Sequence, residues 1–464
     1  MYRGGAVSFR DKLSRLSSPA SWLEPDLPRP EVIEALRRRI QLTLEHSGKA
    51  REPPRPVDDG DLPFETHATP MGPLHVREQR LSRAHRTGRA QLGPAFDASA
   101  ELLALLALDP SIGKCPLRGA LFLDTETTGL ARGAGTVAFL VGLAWWHPDG
   151  TFVLEQLLVR QLGEEAPMLE RIRQRIENAS MLVTFNGKSF DIPLLRTRLV
   201  MARLPAMKEP PHLDLLHVAR RVHGARLRNG CRLTALEGAV LGFERADDVA
   251  SGDISALYLH FLRTGDARAL LGIVEHNAWD VVAMAALVGL YGEPQLEALA
   301  AEDLVGVART MCRAGALDSA ASWAEAAVER NRSAGSIRAR ADISKARGDR
   351  PRALADYETL ARSLDDPSAR LELAKLYEHW VKAPRDALAW AAQGTGERPE
   401  AAARRLERLG RKASVNPRTE RRSFAELASL RAAPHSSTGA LRNGSSEAVD
   451  PEGPASEPRL SRRS

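Results

Sequence analysis

Between Gly119 and Val159 the chain carries three apolar runs in close succession, ALFLDTE, TVAFLVGLAWW and FVLEQLLV, with the turn residues His147-Pro-Asp-Gly150 between the last two. Short apolar runs bounded by turn residues predict strands, and this order predicts a strand followed by a hairpin. Helical spacing takes over from Glu164 to Asn178, where Met168, Leu169, Ile172 and Ile176 share one face. MLVTF at 181–185 reads as a further strand, and helical stretches follow at 192–202, 214–223, 231–241, 254–264 and 267–291. Three strands, then helix, strand and helices, fit an α/β layer structure with a mixed sheet flanked by helices.

The rest of the 464 residues is less regular. Residues 1–60 read as a mostly flexible segment holding one amphipathic helix, Glu31–Ser47, before a Pro- and charge-rich linker. Residues 61–113 read as an extension packing on the α/β domain, with an extended segment from His67 to Val76 and a helix from Pro94 to Leu108. The α/β domain itself is expected over 114–293. Over 300–411 strand signals stop and Ala-rich helices take over. GALDSAASWAEAAV from Gly315 aligns with GDRPRALADYETLA from Gly348 at an offset of 33, and Ala353-Leu354 recurs at Ala387-Leu388 at an offset of 34. That period resembles tetratricopeptide repeats, with a plain Ala-rich bundle as the other reading. Residues 412–464, rich in Ser, Pro, Gly and Arg, read as a disordered basic tail.

Charge sits unevenly. Residues 401–464 hold 13 Lys or Arg against 7 Asp or Glu, which accounts for the whole net charge of +6. Such a tail can attract nucleic acid, or simply be solvated. Cys115, Cys231 and Cys312 lie far apart and form no C-x-x-C pair, so neither a zinc site nor a disulfide framework is indicated. No apolar run approaches the roughly 20 residues of a membrane span, and the first residues lack a signal-peptide core. A cytoplasmic protein without a membrane partner is the expectation.

Three acidic elements carry the chemistry. Asp124 and Glu126 close the strand LFLDTE, and alternation points their side chains the same way. Two like charges so close repel unless a cation joins them or one stays protonated. Hard oxygen ligands of this kind suit Mg²⁺ or Mn²⁺. Asp191 ends Phe185-Asn-Gly-Lys-Ser-Phe-Asp191 and heads a helix, where an Asp is ordinarily a cap. His276 and Asp280, four apart in a long helix, share a face. Each element has a plain structural reading by itself; their conjunction in one α/β domain points to a metal site. Four carboxylates can hold two divalent ions about 4 Å apart, one activating a water and the other stabilising the leaving oxygen of a phosphodiester. His276 can then take the proton from that water.

DTETTGL at 124–130, NGKSFD at 186–191 and HNAWD at 276–280 resemble the three motifs of the DEDD superfamily of 3′–5′ exonucleases. More closely, residues 119–291 resemble the YprB-like ribonuclease-H-type exonucleases, with GAGTVAFLVGLAWW, HLDLLHVARR and LTALEGAVLGFER similar to that family's linking segments. The resemblance implies a ribonuclease-H-like fold followed by the all-α helical-repeat region, and metal binding by Asp124, Glu126, Asp191 and Asp280. It also implies that Thr127, Gly129 and Leu130 lie beside the terminal nucleotide, with Asn186 shaping the site. One departure stands out. Related exonucleases place a His five residues before the last Asp or a Tyr four before it, whereas here His276 lies four before Asp280 and residue 275 is Glu.

These readings predict a 3′–5′ exonuclease that uses two divalent ions and takes a single-stranded 3′ end of nucleic acid. A protein partner is expected on the C-terminal helices. A structure-selective endonuclease on the same fold, or a nucleic-acid-binding scaffold whose repeats recruit a protein, are the alternatives.

Among other residues, ARGAGT at 131–136 lacks a following G-K-[ST] and reads as a turn rather than a nucleotide loop. Asp214 reads as a helix cap, Lys188 as a solvated turn lysine or phosphate contact, Trp145-Trp146 as sheet core and His147 as surface.

Overall fold

The three apolar runs become the strands that carry the site. They are β5 (Ala120–Thr127), β6 (Ala138–Trp146) and β7 (Phe152–Leu158). The computed structural model describes residues 62–129, 135–228, 230–292 and 299–415. The helix expected at Glu31–Ser47, Leu130, residues 131–134 and the tail beyond 415 lie outside them.

Two strands precede these in the same sheet, β1 (Glu65–Thr69) and β2 (Gly72–Leu81). The single extended segment expected at 67–76 is thus a hairpin whose second strand runs on to Leu81. Its turn is closed by Thr69, whose hydroxyl donates to the Gly72 carbonyl at 2.7 Å, and Gly72 takes φ +118°. Both faces of β2 are only partly covered, so its sequence lacks the alternation that marks a half-buried strand. A separate small ladder joins β3 (Arg86–Thr87) to β4 (Ala90–Gln91).

The helix expected from Pro94 to Leu108 is two pieces, α1 (Gly93–Phe96) and α2 (Ala100–Ala107). Ser99 separates them, its side chain accepting from the Leu102 amide and starting a new helix.

After β7 the chain forms α3 (Ala166–Glu177), β8 (Met181–Thr184), α4 (Asp191–Met201), β9 (His212–Asp214) and α5 (Leu215–His223). The three-residue β9 gave no strand signal in the sequence. Next come α6 (Leu233–Leu236), continued by a wide turn to Leu241, then α7 (Ile254–Thr264) and α8 (Arg268–Gly292). The main sheet has the order β1-β2-β7-β6-β5-β8-β9. It is antiparallel from β1 through β5, and β8 and β9 add in parallel beyond β5. This is the expected mixed sheet flanked by helices.

Strand alternation sends β5 into two cores. Leu121 and Leu123 pack with Phe139, Ile172, Leu195 and Tyr258 on one side. Phe122 packs with Trp146, Phe152 and the second half of α8 on the other. Trp146 meets Phe96 edge-on at 5.3 Å and Trp145 lies under the Arg175 guanidinium at 3.7 Å, so neither offers a free stacking face.

By length and composition α8 could cross a membrane, but 72% of its apolar window is buried inside the protein. Its polar residues 275–277 and 280 break the apolar run in the sequence.

The described residues fall into two compact units divided between Arg347 and Gly348. The first also holds α9 (Ala301–Arg313), α10 (Leu317–Arg330) and α11 (Ala334–Arg347). The second consists of α12 (Arg350–Leu364), α13 (Pro367–Leu376) with a wide turn to Val381, α14 (Pro384–Ala392) and α15 (Pro399–Val415). From 300 onward the described chain is all helical, and α15 runs past residue 412, where the tail was expected to begin.

Candidate active site

β5 ends over a cleft of about 630 Å³. Asp124, Glu126, Asp191, His276 and Asp280 all line it, as do Thr127, Gly129 and Asn186. Of the residues singled out for the site from sequence, Leu130 alone lies outside the described residues.

Each acid arrives from a different element. Asp124 and Glu126 come from the last turns of alternation in β5. Asp191 occupies the first position of α4, and its side chain reaches across to β5. It accepts from the Thr125 hydroxyl at 2.5 Å, which ties α4 to the strand end. His276 and Asp280 face the cleft from α8, with His276 Nε2 at 3.6 Å from Asp280 Oδ2 and 3.9 Å from Glu126 Oε1. Glu275 points elsewhere. It is half-exposed and ion-paired with Arg77 at 2.8 Å.

The turn NGKSFD is held from behind. Asn186 has φ +69°, a left-handed conformation that Asn tolerates better than most residues. The Asp214 carboxylate accepts from the amides of Asn186 (2.8 Å), Lys188 (3.1 Å) and Leu216 (3.1 Å). Asp214 therefore caps α5, as its sequence position indicated, and also shapes the turn. Gly187 is required in that turn, since a Cβ there would lie 2.5 Å from the Thr184 side chain.

Asp124 is anchored by a polar relay inside the core. Asn277 donates to its carboxylate at 2.9 Å, Gln156 donates to Asn277 at 3.0 Å, and Arg77 donates to Gln156 at 3.0 Å. Helix α8 reaches the sheet closely enough only because β6 carries a glycine there. A Cβ on Gly142 would sit 2.4 Å from Asn277 Oδ1 and 2.8 Å from Val281. Gly142→Ala is expected to push α8 off the sheet and destabilise the chain by about 1–3 kcal/mol. Urea unfolding of the two chains measures this; equal midpoints would mean that the relay does not depend on close approach.

Arg245 and Asp248 belong to the site, and sequence reasoning missed them. The Arg245 guanidinium is buried, bonded to both Glu237 oxygens at 2.7 Å, and ion-paired with Asp280. Asp248 Oδ1 lies 2.6 Å from His276 Nδ1. Their loop, after the Gly242 turn, has no periodicity to betray it, and a buried charge cannot be told from a solvated one by type alone. Gln156 did leave a signal, as a polar residue inside the apolar run FVLEQLLV.

The acids pay a common electrostatic penalty. Burial holds Asp124 well above its ordinary range, reinforced by the charges of Asp280, Glu126 and Asp191 and opposed by the Asn277 hydrogen bond. Burial pushes Glu126 up to about 7, with His276 opposing and Asp280 and Asp191 adding. Asp191 is pushed up to about 6, again mainly by burial, with the Thr125 hydrogen bond opposing. Acids gathered out of water with too little positive charge are what a divalent cation relieves. Ligand atoms of Glu126, His276 and Asp280 also lie within 4.8 Å of one another. The donor set therefore fits a hard divalent ion, with His276 able to join as a nitrogen ligand.

Comparison with known proteins bears on the domain that carries this cleft. Residues 121–291 match the RNase_H_2 family of the RNase_H superfamily. Over 291 residues the chain is 32% identical to YprB of Bacillus subtilis (strain 168), described as uncharacterized, covering 60% of this chain and 69% of that protein. Among solved structures, a family B DNA polymerase from the hyperthermophilic archaeon Pyrobaculum calidifontis matches at 10% identity and a TM-score of 0.27. That match covers 42% of this chain and 29% of the polymerase chain, and supports no functional statement.

Proposed function

We propose, from the premise that the chain belongs to the YprB-like family of the RNase H superfamily, that it is a divalent-metal-dependent 3′–5′ exonuclease of the DEDD type. The observation that carries this reading is the convergence of four carboxylates from three elements, Asp124, Glu126, Asp191 and Asp280, in one cleft. These four hold the metal, Mg²⁺ or Mn²⁺ by the hardness of their oxygens. Two such ions, when bound, supply Lewis-acid activation of water and neutralise charge on the leaving oxygen.

The chain's own residues do the rest. Asp248 accepts a hydrogen bond from His276 Nδ1–H, which leaves the Nε2 lone pair facing Glu126 and Asp280 to receive a proton from the attacking water. Thr127 and Gly129 line the part of the cleft that takes the terminal nucleotide. The helices from Leu317, Arg350 and Pro384 begin 33 and 34 residues apart, the period of tetratricopeptide repeats, and a protein partner for these helices is part of this reading.

The experiment is hydrolysis of 3′- and 5′-labelled single and double strands of DNA and RNA with Mg²⁺ or Mn²⁺, with and without chelator. Release of labelled mononucleotide from the 3′ end, abolished by chelator, is the expected result. Internal fragments without end release would instead favour an endonuclease on this fold. No hydrolysis of any strand would leave the scaffold reading.

A further inference from the structure

A second cleft, of about 480 Å³, opens from the first and shares Phe185, Asn186, Ser251, His276 and Asp280 with it. Its other wall is basic. It is built from α5 and the start of α6, and carries Arg220 and Arg232. Both arginines are exposed, and neither has a carboxylate within ion-pair distance among the described residues. Their neighbours differ. Arg221 donates to the Leu106 carbonyl, Arg226 pairs with Asp303, and Arg245 is buried against Glu237 and Asp280. The difference has a local cause. Helix α5 buries Val218, Ala219 and Val222, and that face leaves Arg220 outward, while Arg232 stands just before the first turn of α6.

We propose that Arg220 and Arg232 form a phosphate-binding arm for the nucleic-acid strand on the 5′ side of the bond that is cut. The inference rests on the nuclease reading. A cluster of buried acids repels a polyanion, so a strand that reaches it needs positive charge along its approach. Guanidinium forks match phosphate oxygens two at a time, and unpaired ones are ready for it. Direction follows from the two clefts. Thr127 and Gly129 line only the first, to which the nuclease reading assigns the terminal nucleotide. The reacting phosphate lies at the shared wall, near His276 and Asp280. The preceding nucleotides then leave through the second cleft, past Arg220 and Arg232.

The test compares two substrates with the full chain. One is a short single-stranded oligonucleotide. The other is the p-nitrophenyl ester of thymidine 5′-monophosphate, which has the reacting phosphodiester but no phosphate beyond it. For the double variant Arg220→Ala/Arg232→Ala, KM for the oligonucleotide is expected to rise about tenfold or more. The loss on the ester is expected to be at least about tenfold smaller. The slope of log affinity against log salt should fall by about 1.4, roughly 0.7 for each phosphate contact removed from a single strand. Arg220→Lys/Arg232→Lys should recover the salt slope and only part of the affinity. An unchanged oligonucleotide KM and salt slope, or equal losses on both substrates, overturns the proposal. Binding of a fluorescent oligonucleotide in chelator separates the two readings. If the wild type hydrolyses neither substrate yet binds through these arginines, the nuclease reading fails and the arm stands. Binding that ignores them removes the arm whatever the hydrolysis shows.

Discussion

Asp124→Asn is expected to lower 3′-end hydrolysis by about three orders of magnitude or more and, at pH 8 in chelator, to raise the melting temperature. The rate loss follows from the several kcal/mol of charge stabilisation that a divalent ion supplies, at about 1.36 kcal/mol per decade. The stability gain follows from the acid cluster itself. Glu126 rises from an ordinary 4.5 to about 7 and Asp191 from 3.8 to about 6, and burial also raises Asp124. A carboxyl whose pKa is raised by folding holds its proton more tightly in the folded chain. Its stabilising contribution is complete below the unfolded pKa and is lost as pH rises through the folded one. Without metal the fold is therefore expected to weaken from about pH 4 to about pH 7 and to stay weaker above. Asn at 124 keeps an acceptor for Asn277 and removes one of the crowded charges, so that loss should shrink. Mg²⁺ or Mn²⁺ should raise the wild-type melting temperature more at pH 8 than at pH 5, because protonated carboxyls are poor ligands. Melting curves across pH, with chelator and with metal, read all of this. Robust hydrolysis by Asp124→Asn would sink the metal assignment. Earlier melting of the variant at pH 8 in chelator would sink the charge-crowding account.

His276→Ala is expected to lower kcat by about 10²–10⁴-fold while leaving metal affinity intact, the range typical of a lost general base. His276 faces Glu126 and Asp280 with Nε2 and is bonded through Nδ1 to Asp248. One lone pair can receive a proton or bind a metal, but not both. Isothermal titration with Mn²⁺ therefore decides between two chemistries. A kcat loss with unchanged Mn²⁺ affinity assigns the base. A matching loss of Mn²⁺ affinity makes the imidazole a ligand, as its closeness to Glu126 and Asp280 permits. Asp248→Asn should act on kcat in the same direction, with KM little changed, because Asp248 positions the ring without meeting the substrate. Full kcat in both variants would leave the proton to the acids. Glu275, the neighbouring candidate, is held by Arg77 away from the cleft.

What could be read from the sequence was whatever a short-range rule can express. Alternation in ALFLDTE gave β5, sent Asp124 and Glu126 the same way, and split Leu121 and Leu123 from Phe122 between two cores. Helical spacing gave α3 and put His276 and Asp280 on one face of α8. Motif resemblance then joined elements that no local rule connects. The limits were equally physical. The hairpin β1–β2 and the short β9 hold their places through partners distant in sequence, and no residue pattern within them announces that. Asp191 looked like a cap alone and is tied to Thr125 across 66 positions.

Tertiary structure alone decided which charges meet. Arg245 stands 35 residues from Asp280, Asp248 28 residues from His276, and Asn277 153 residues from Asp124. Such pairs depend on where a loop is pressed and on how closely a helix can approach a sheet, as Gly142 permits. The sequence of amino acids determined the set of acids and the strand and helices that bear them. Burial, which only the assembled layers create, decided their proton affinities and their counter-charges, and the packing of the same layers left two exposed arginines in the cleft beside them.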